Sequence, residues 1–318
     1  MTQEAKPPVR GLRALILSVA AAALGYLAFS LWGGWREVMA ALREVSPAVL
    51  LSLLALSLVN YGLRFVRWQH YLILFGHRVP LWSSLRIYLG GFALTTTPGK
   101  AGEALRCVLL QPLGVSWPHS LAALLAERLG DLIAILLLAA IGLAAYPQAR
   151  GVVAIMAVLL LALLLFIQQR AWLERLDGWL RRRYSGRVAV LAAGLIETIL
   201  HSSRLFSLPL LAYSIVLGVV AWGAEGAAFY FLVQVLGTEL DLPTALFIYA
   251  FSMLVGAVSF LPGGLGGAEL TMVTLLTLNG MSPGVAVAAT VIIRLATLWF
   301  AVLLGAVALL PGRRGHAL

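Results

Sequence analysis

Thr95-Thr96-Thr97-Pro98-Gly99-Lys100-Ala101-Gly102-Glu103-Ala104-Leu105-Arg106 interrupts one apolar run, and Ser259-Phe260-Leu261-Pro262-Gly263-Gly264-Leu265-Gly266-Gly267-Ala268-Glu269-Leu270 interrupts another. Both read as an apolar helical stretch, then Pro-Gly-x-x-Gly, then Glu, then a second apolar stretch. Arg128 follows Glu103 by 25 residues, and Arg294 follows Glu269 by 25 residues. Proline removes a backbone donor and glycine relaxes φ, so each motif breaks a helix. In a bilayer such a break is stable only where protein buries it or a polar cavity solvates it. Two breaks at corresponding places in two halves point to a site of the kind transporters build from discontinuous helices.

The legs on either side of each break are short. Trp82 to Thr97 has 16 residues and Lys100 to Pro112 has 13, about 24 and 20 Å of helix. Neither comfortably crosses a hydrocarbon core of about 30 Å. The second element, Leu242 to Asn279, has legs of similar length. Hairpins that enter and leave on one side are therefore expected at about 81–112 and 242–279.

Composition sets the context. Of 318 residues, 61% are hydrophobic and 11% charged, against roughly 25% charged in a soluble domain. The chain reads as one integral-membrane domain over 1–318. Its net charge of +10 is almost all arginine, with only Lys6 and Lys100 as lysines. These charges cluster between apolar runs, which fits positive-inside topology and anionic lipid rather than nucleic acid. The single cysteine, Cys107, excludes an intrachain disulfide and a cysteine-based zinc site.

Taken in order, Ala14–Trp32 is a first span, longer than a signal-peptide core. Residues 35–46 form an amphipathic interfacial helix with Arg36, Glu37, Arg43 and Glu44 toward water. A second span, 47–68, carries Arg64 and Arg67 at its inner end; His70 and His77 beside it read as ordinary interfacial residues. Span 121–146 carries Glu127 and Asp131 on one face with Arg128 adjacent. Span 152–167 is aliphatic and lipid-facing. Six arginines between Arg170 and Arg187 mark 170–204 as a cytoplasmic loop. Spans 206–237, with Glu225 in its middle, and 283–310 complete the set.

The resulting fold is all-α: about six full transmembrane helices plus two oppositely oriented re-entrant hairpins. Both termini are cytoplasmic. Units 47–146 and 206–310 enter the membrane in opposite senses and form an inverted repeat. The second leg of each hairpin then begins near the midplane, where free N–H groups and the positive helix end favour an anion. Gly99, Gly102, Gly263, Gly264 and Gly266 allow close backbone approach, and Lys100, Arg106, Arg128 and Arg294 converge there. Charges at this depth cost at least ~2.5–3.5 kcal/mol each, so they pair or serve function. The bland alternative is that Glu103 and Glu269 cap helices while Glu127, Arg128 and Asp131 lock the fold as ion pairs. Gly-x-Ser-x-Gly, Walker A, Cys/His metal spacing and Asp-rich motifs are all missing from the sequence, so neither an enzyme nor a bound cofactor is expected.

The ordered set Asn60-Tyr61-x-x-Arg64-x-x-Arg67-Trp68, Tyr88-x-x-x-Phe92-x-x-x-Thr96-Thr97-Pro98-Gly99-x-x-Gly102-Glu103-x-x-Arg106 and Glu127-Arg128-x-x-Asp131 resembles the flippase-like membrane domain of bacterial lysylphosphatidylglycerol synthases. So does Leu261-Pro262-Gly263-Gly264-x-Gly266-x-x-Glu269 with Arg294. The resemblance covers almost the whole chain. It implies translocation of a polar-headed lipid, anionic or zwitterionic, between leaflets of the bacterial inner membrane. The candidate headgroup-binding residues are Arg64, Arg67, Pro98, Gly99, Lys100, Gly102, Glu103, Arg106, Glu127, Arg128, Asp131, Pro262, Gly263, Gly264, Gly266, Glu269 and Arg294. The chain stops at Leu318, where two-domain members continue into an aminoacyltransferase, so no lipid aminoacylation is expected. Expected partners are polar-headed membrane lipids, a coupling proton or ion, and lipid-biosynthesis enzymes. The rival readings are a secondary transporter of a small soluble anion and a non-transporting subunit of a lipid-synthesis complex. A cavity open to lipid favours the first reading, a sealed one the second, and a solid dry centre the third.

Overall fold

The computed structural model describes residue 25 and residues 35–97, 102–183, 186–259 and 261–310. The expected first span, Ala14–Trp32, lies outside the described residues. Regular structure among the described residues is entirely helical.

An amphipathic helix α1 (Trp35–Glu44) precedes the long α2 (Pro47–Leu74). A short pair follows, α3 (Leu81–Phe92) and α4 (Leu105–Leu110). Helix α5 (Trp117–Ile141) leads to α6 (Arg150–Gln168), then α7 (Arg170–Arg183) and α8 (Arg187–Leu205). The second half contains α9 (Leu208–Val235), the pair α10 (Leu242–Val258) and α11 (Gly267–Leu278), and α12 (Pro283–Leu309).

Helix starts follow local chemistry. Ser46, Ser116, Ser207, Asp241 and Ser282 each occupy an extended N-cap followed by proline in the first turn. Proline fits there because its missing N–H would have no helical partner. Ser46 Oγ accepts from Val49 N at 3.3 Å, and Asp241 Oδ1 accepts from Thr244 N at 3.2 Å.

Four described segments are long and apolar enough to cross a membrane: Pro47–Leu74, Pro147–Gln168, Leu208–Val235 and Pro283–Leu309. Helix α5 has 25 residues but carries Glu127, Arg128 and Asp131. Helix α6 is the lipid-type surface its aliphatic sequence implies; Val153 and Ile167 are its buried residues. Helix α1 exposes Arg36, Glu37, Arg43 and Glu44 as expected, while Val38 and Ala41 are buried and the helix packs on the first part of α12. The arginine-rich stretch 170–204, read as a cytoplasmic segment between spans, forms two helices among its described residues. Its α7 and α8 pack together, and α8 buries Thr198, Ser202 and Ser203, packing along α5.

Packing contacts correspond between the two halves. Helix α2 packs on α9, the first helix of one half on the first helix of the other. The end of α12 packs on α3, and α10 packs on α5, so each half's first short leg meets the other half's last helix. Within each half, the two short legs pack together, α3 on α4 and α10 on α11. Exchanging the halves leaves this pattern unchanged.

Candidate functional site

The two helix breaks meet. Gly263 adopts φ +65°, and a Cβ placed on it would lie 3.5 Å from Thr96 Cα and 3.4 Å from Leu298 Cδ2. The second break thus touches the first and leaves little room for a side chain at Gly263. Pro98, Gly99 and Lys100 lie outside the described residues.

Around this contact lies a cavity of about 260 Å³. Arg64, Glu103, Arg128 and Asp131 line it from the first half, and Glu225, Gly263, Gly264 and Arg294 from the second. Arg67, Gly102, Arg106, Glu127, Gly266 and Glu269 are absent from the lining and brace the residues that form it.

Helices α2, α4 and α5 bring the first-half charges together. Arg64 Nη2 is 3.0 Å from Glu127 Oε1 and 3.1 Å from Asp131 Oδ2. Arg67 pairs with Asp131 and donates to the Glu127 carbonyl at 3.3 Å. Arg106 bridges Glu103 at 2.9 Å and Glu127 at 2.8 Å. Its guanidinium carbon lies 4.3 Å from the Tyr88 ring centroid, a cation–π contact. Gly91 permits this, because a Cβ there would sit 2.4 Å from Arg106 Nε. Arg128 Nη2 meets Glu127 at 2.6 Å, Asp131 at 3.2 Å and Glu103 at 3.6 Å. Tyr88 and Thr95 hydroxyls donate to Glu127 and Glu103.

The second half is sparser. Arg294 Nε donates to Glu269 Oε1 at 2.7 Å, and Arg294 Nη2 donates to the Gly263 carbonyl at 2.7 Å. The Glu and Arg that recur at the 25-residue spacing thus lie within ion-pair distance in both halves. A π-helical turn, Leu295–Trp299, follows Arg294, and Tyr61 donates to the carbonyl of Thr297 within it. Such turns reorganise backbone acceptors and recur at functional sites.

The expectation that free N–H groups at the breaks await an anion needs correction. Gly102 N donates to Thr97 Oγ1 at 2.6 Å. Gly266 N donates to Glu269 Oε2 at 2.7 Å, so Glu269 caps its own helix as in the bland alternative. Helix α4 begins only at Leu105 and has six residues. Those two N–H groups are therefore not open to an anion, and side-chain donors stand beside them. Arg64 Nε, Arg128 Nε and the indole Nε1 of Trp222 are buried donors with no hydrogen-bond acceptor among the described residues. All three residues line the cavity.

Charge is unevenly divided. The first-half cluster holds Arg64, Arg67, Arg106 and Arg128 against Glu103, Glu127 and Asp131, one positive charge in excess. The second half sets Arg294 against Glu269 and Glu225, one negative charge in excess. Counted over these described side chains, the charges balance.

Several site features escaped sequence reading. Glu225, with Tyr249 Oη donating to its Oε2 at 2.6 Å, lines the cavity together with Tyr61, Trp222 and Tyr249. Isolated residues on apolar helices give no repeat to detect; only the bilayer cost of Glu225 signals it. Away from the cavity, His77 Nε2 lies 2.8 Å from His119 Nδ1, and the His119 ring packs edge-on against His201 at 4.4 Å between centroids. His77 is therefore not a solitary interfacial residue. Among the described residues, no group of three or more His, Cys, Asp or Glu is arranged to hold a metal ion.

A polytopic helical membrane protein whose two helix breaks meet at a cavity lined by charged residues of both halves is the class these features define. The chain belongs to the family described as the lysylphosphatidylglycerol synthase TM region, whose model matches residues 14–305. It is similar to a UPF0104 membrane protein of Methanothermobacter thermautotrophicus, 26% identical over 302 residues that cover 87% of this chain and 89% of that one. A UPF0104 membrane protein of Pyrococcus horikoshii is 22% identical over 310 residues, covering 89% and 92%.

Proposed function

We propose that this chain moves a lipid with a phosphate-bearing headgroup between the leaflets of a bacterial inner membrane, and performs no covalent chemistry. The observation that carries the reading is the trio of buried donors, Arg64 Nε, Arg128 Nε and Trp222 Nε1, around a cavity between the two halves. An unsatisfied buried donor costs roughly 1–3 kcal/mol, and a phosphate oxygen relieves it. The excess positive charge of the first-half cluster has the same preference. The cavity mouth includes Ala257 and Leu261, both exposed and apolar, with Leu261 47% exposed. That mouth suits acyl chains that stay in lipid while the headgroup enters, and it disfavours a small soluble anion.

In this reading the short pairs α3–α4 and α10–α11 are re-entrant hairpins opening to opposite sides. The exchange-invariant packing supports an inverted repeat over about 47–146 and 206–310, and rocking of one unit against the other exposes the cavity to each leaflet in turn. Both termini and helices α7 and α8 face the cytoplasm, supported by the arginine bias. Lysylphosphatidylglycerol synthase is the name of the family, and the lipid itself is to be found by experiment. Reconstitution into vesicles with a panel of headgroup-labelled lipids, read by a leaflet-accessibility assay, tests the proposal. Movement of at least one phosphate-bearing lipid above protein-free vesicles is expected; movement of none, with folded protein present, overturns it.

A further inference from the structure

We infer that the groove where the end of α2, the end of α8 and the start of α9 meet is a binding site for one anionic phospholipid of the surrounding leaflet. It lies apart from the central cavity, with which it shares no lining residue among those described. The site therefore stands whether or not the chain moves lipid.

The groove has a volume of about 390 Å³. Its polar lining comes from all three helices: His70 on α2, Arg204 in the last turn of α8, Ser207 just ahead of α9 and Tyr213 within it. The His70 and Tyr213 rings lie 5.1 Å apart between centroids, so the two helices present them together. Among the described residues these four side chains make no hydrogen bond, and Arg204 makes no ion pair. The described lining contains no carboxylate. Glu197, about two helical turns before Arg204 on α8, is 3.6 Å from His201 instead. A guanidinium with an unused fork of donors, beside a phenol, a hydroxyl and an imidazole, suits the oxygens of a phosphate. With no acid in the described lining, it favours a headgroup of net negative charge over one that also brings an ammonium.

The setting makes the ligand a lipid. Helices α2 and α9 are both long and apolar enough to cross a membrane, and the groove lies where the first ends and the second begins. That is headgroup level, where basic pockets between spans hold anionic headgroups. Away from the polar groups the seam of α2 and α9 turns apolar. Val66 lies one turn before His70, and Val216 and Val220 lie one and two turns after Tyr213, on the same helix faces. All three are exposed. A phosphate at Arg204 thus has an acyl-chain lane running from it into the bilayer, which a soluble phosphate leaves empty. The rival duty of Arg204 is to complement the C-terminal end of α8, and that needs no lipid.

A local quenching measurement tests the site without any transport assay. On a Cys107→Ala background, Ile73→Cys carries a bimane fluorophore; Ile73 is exposed beside the groove and does not line it. The labelled protein, in phosphatidylcholine nanodiscs, receives phosphatidylglycerol or phosphatidylcholine bearing a spin label on one acyl chain. Phosphatidylglycerol should quench at about tenfold lower lipid fraction than phosphatidylcholine, the worth of one charge-assisted hydrogen bond. Arg204→Gln should bring the two lipids to within about twofold. Arg182→Gln, which removes an exposed arginine of α7 outside the groove, should keep the preference. Equal quenching by the two lipids, a comparison that needs no Arg204 variant, overturns the site. So does a preference that survives Arg204→Gln, which leaves Arg204 its helix-end duty alone. A preference lost equally in Arg182→Gln reports only the general positive charge of this face and overturns the site too. Millimolar inorganic phosphate should leave the quenching unchanged; relief of quenching by it overturns the commitment to a lipid in favour of free phosphate.

Discussion

Arg128 and Arg67 separate binding from folding. Arg128 Nη2 touches three carboxylates at 2.6, 3.2 and 3.6 Å, yet 22% of its side chain is exposed at the cavity. Replacing it with Gln orphans none of them, because Glu103 keeps Arg106, Glu127 keeps Arg64 and Arg106, and Asp131 keeps Arg64 and Arg67. The stability cost should therefore fall to about 1–2 kcal/mol, well below the about 3–5 kcal/mol of a broken buried pair. Its loss to a bound phosphate is one charge-assisted hydrogen bond, about 1.5–3 kcal/mol, or about 10- to 150-fold in lipid movement. Arg67 is fully buried, away from the cavity lining, and ties α2 to Asp131 and to the carbonyls of Glu127 and Ser214. Arg67→Gln also leaves Asp131 paired, with Arg64 and Arg128, but strips the buried carbonyls of Glu127 and Ser214 of a donor, so it should cost about 1–3 kcal/mol and reduce movement only in proportion to protein lost. Thermal unfolding in nanodiscs gives the first quantity, and leaflet accessibility per folded molecule gives the second. An Arg128→Gln protein at normal level that moves lipid within twofold of wild type would refute the anion-site reasoning.

On a Cys107→Ala background, single cysteines at Pro80 and Leu113 should label from one face of the membrane, and those at Asp241 and Met281 from the other; labelling of Pro80 and Leu113 from opposite faces ends the first re-entrant hairpin. Gly305→Ala should destabilise by about 1–3 kcal/mol through overpacking, since its Cβ would lie 2.2 Å from Ala93 N and drive α12 off α3; an unchanged melting temperature contradicts that contact. Partial burial holds the His77 imidazole below its ordinary range. Protonation then favours the unfolded chain, so stability present above about pH 6.5 is lost as pH falls through the lower folded value. His77→Gln should show a smaller fall in melting temperature between pH 7.5 and pH 5, and an equal fall dismisses the His77–His119 contact as a pH-sensitive element.

The two breaks and their paired charges were legible because they recur. A Glu within three residues of a Pro-Gly-x-x-Gly turn, with an arginine 25 residues further on, is improbable twice by chance in sequence this apolar. Backbone detail at the breaks was not legible. Whether the N–H groups of Gly102 and Gly266 stay open depends on torsions that let Thr97 and Glu269 reach them. The π turn after Arg294 is likewise a product of packing, and Leu295–Trp299 carries no proline or glycine to announce it. His77, His119 and His201 come from three separated elements, so no spacing rule joins them. In the stretch 170–204 composition showed the polarity but not the packing. Its arginines mark a polar surface, but Thr198, Ser202 and Ser203 give α8 a face small enough to lie along α5.

The interlocked pairs explain how a site rich in arginine survives without a ligand. Each first-half carboxylate touches at least two guanidinium groups, and three of the four arginines there touch at least two carboxylates. Such a mesh lets one contact lengthen while others hold, which an isolated buried pair cannot do. A phosphate arriving at Arg64 and Arg128 can therefore use their Nε donors, which have no acceptor among the described residues, first and leave the carboxylate contacts in place. Binding of this sort requires no wholesale exchange of ion pairs, so it need not be tight to be selective. Release is correspondingly cheap, and a transporter that must let its cargo go on the far side gains more from a satisfied mesh than from a row of free arginines.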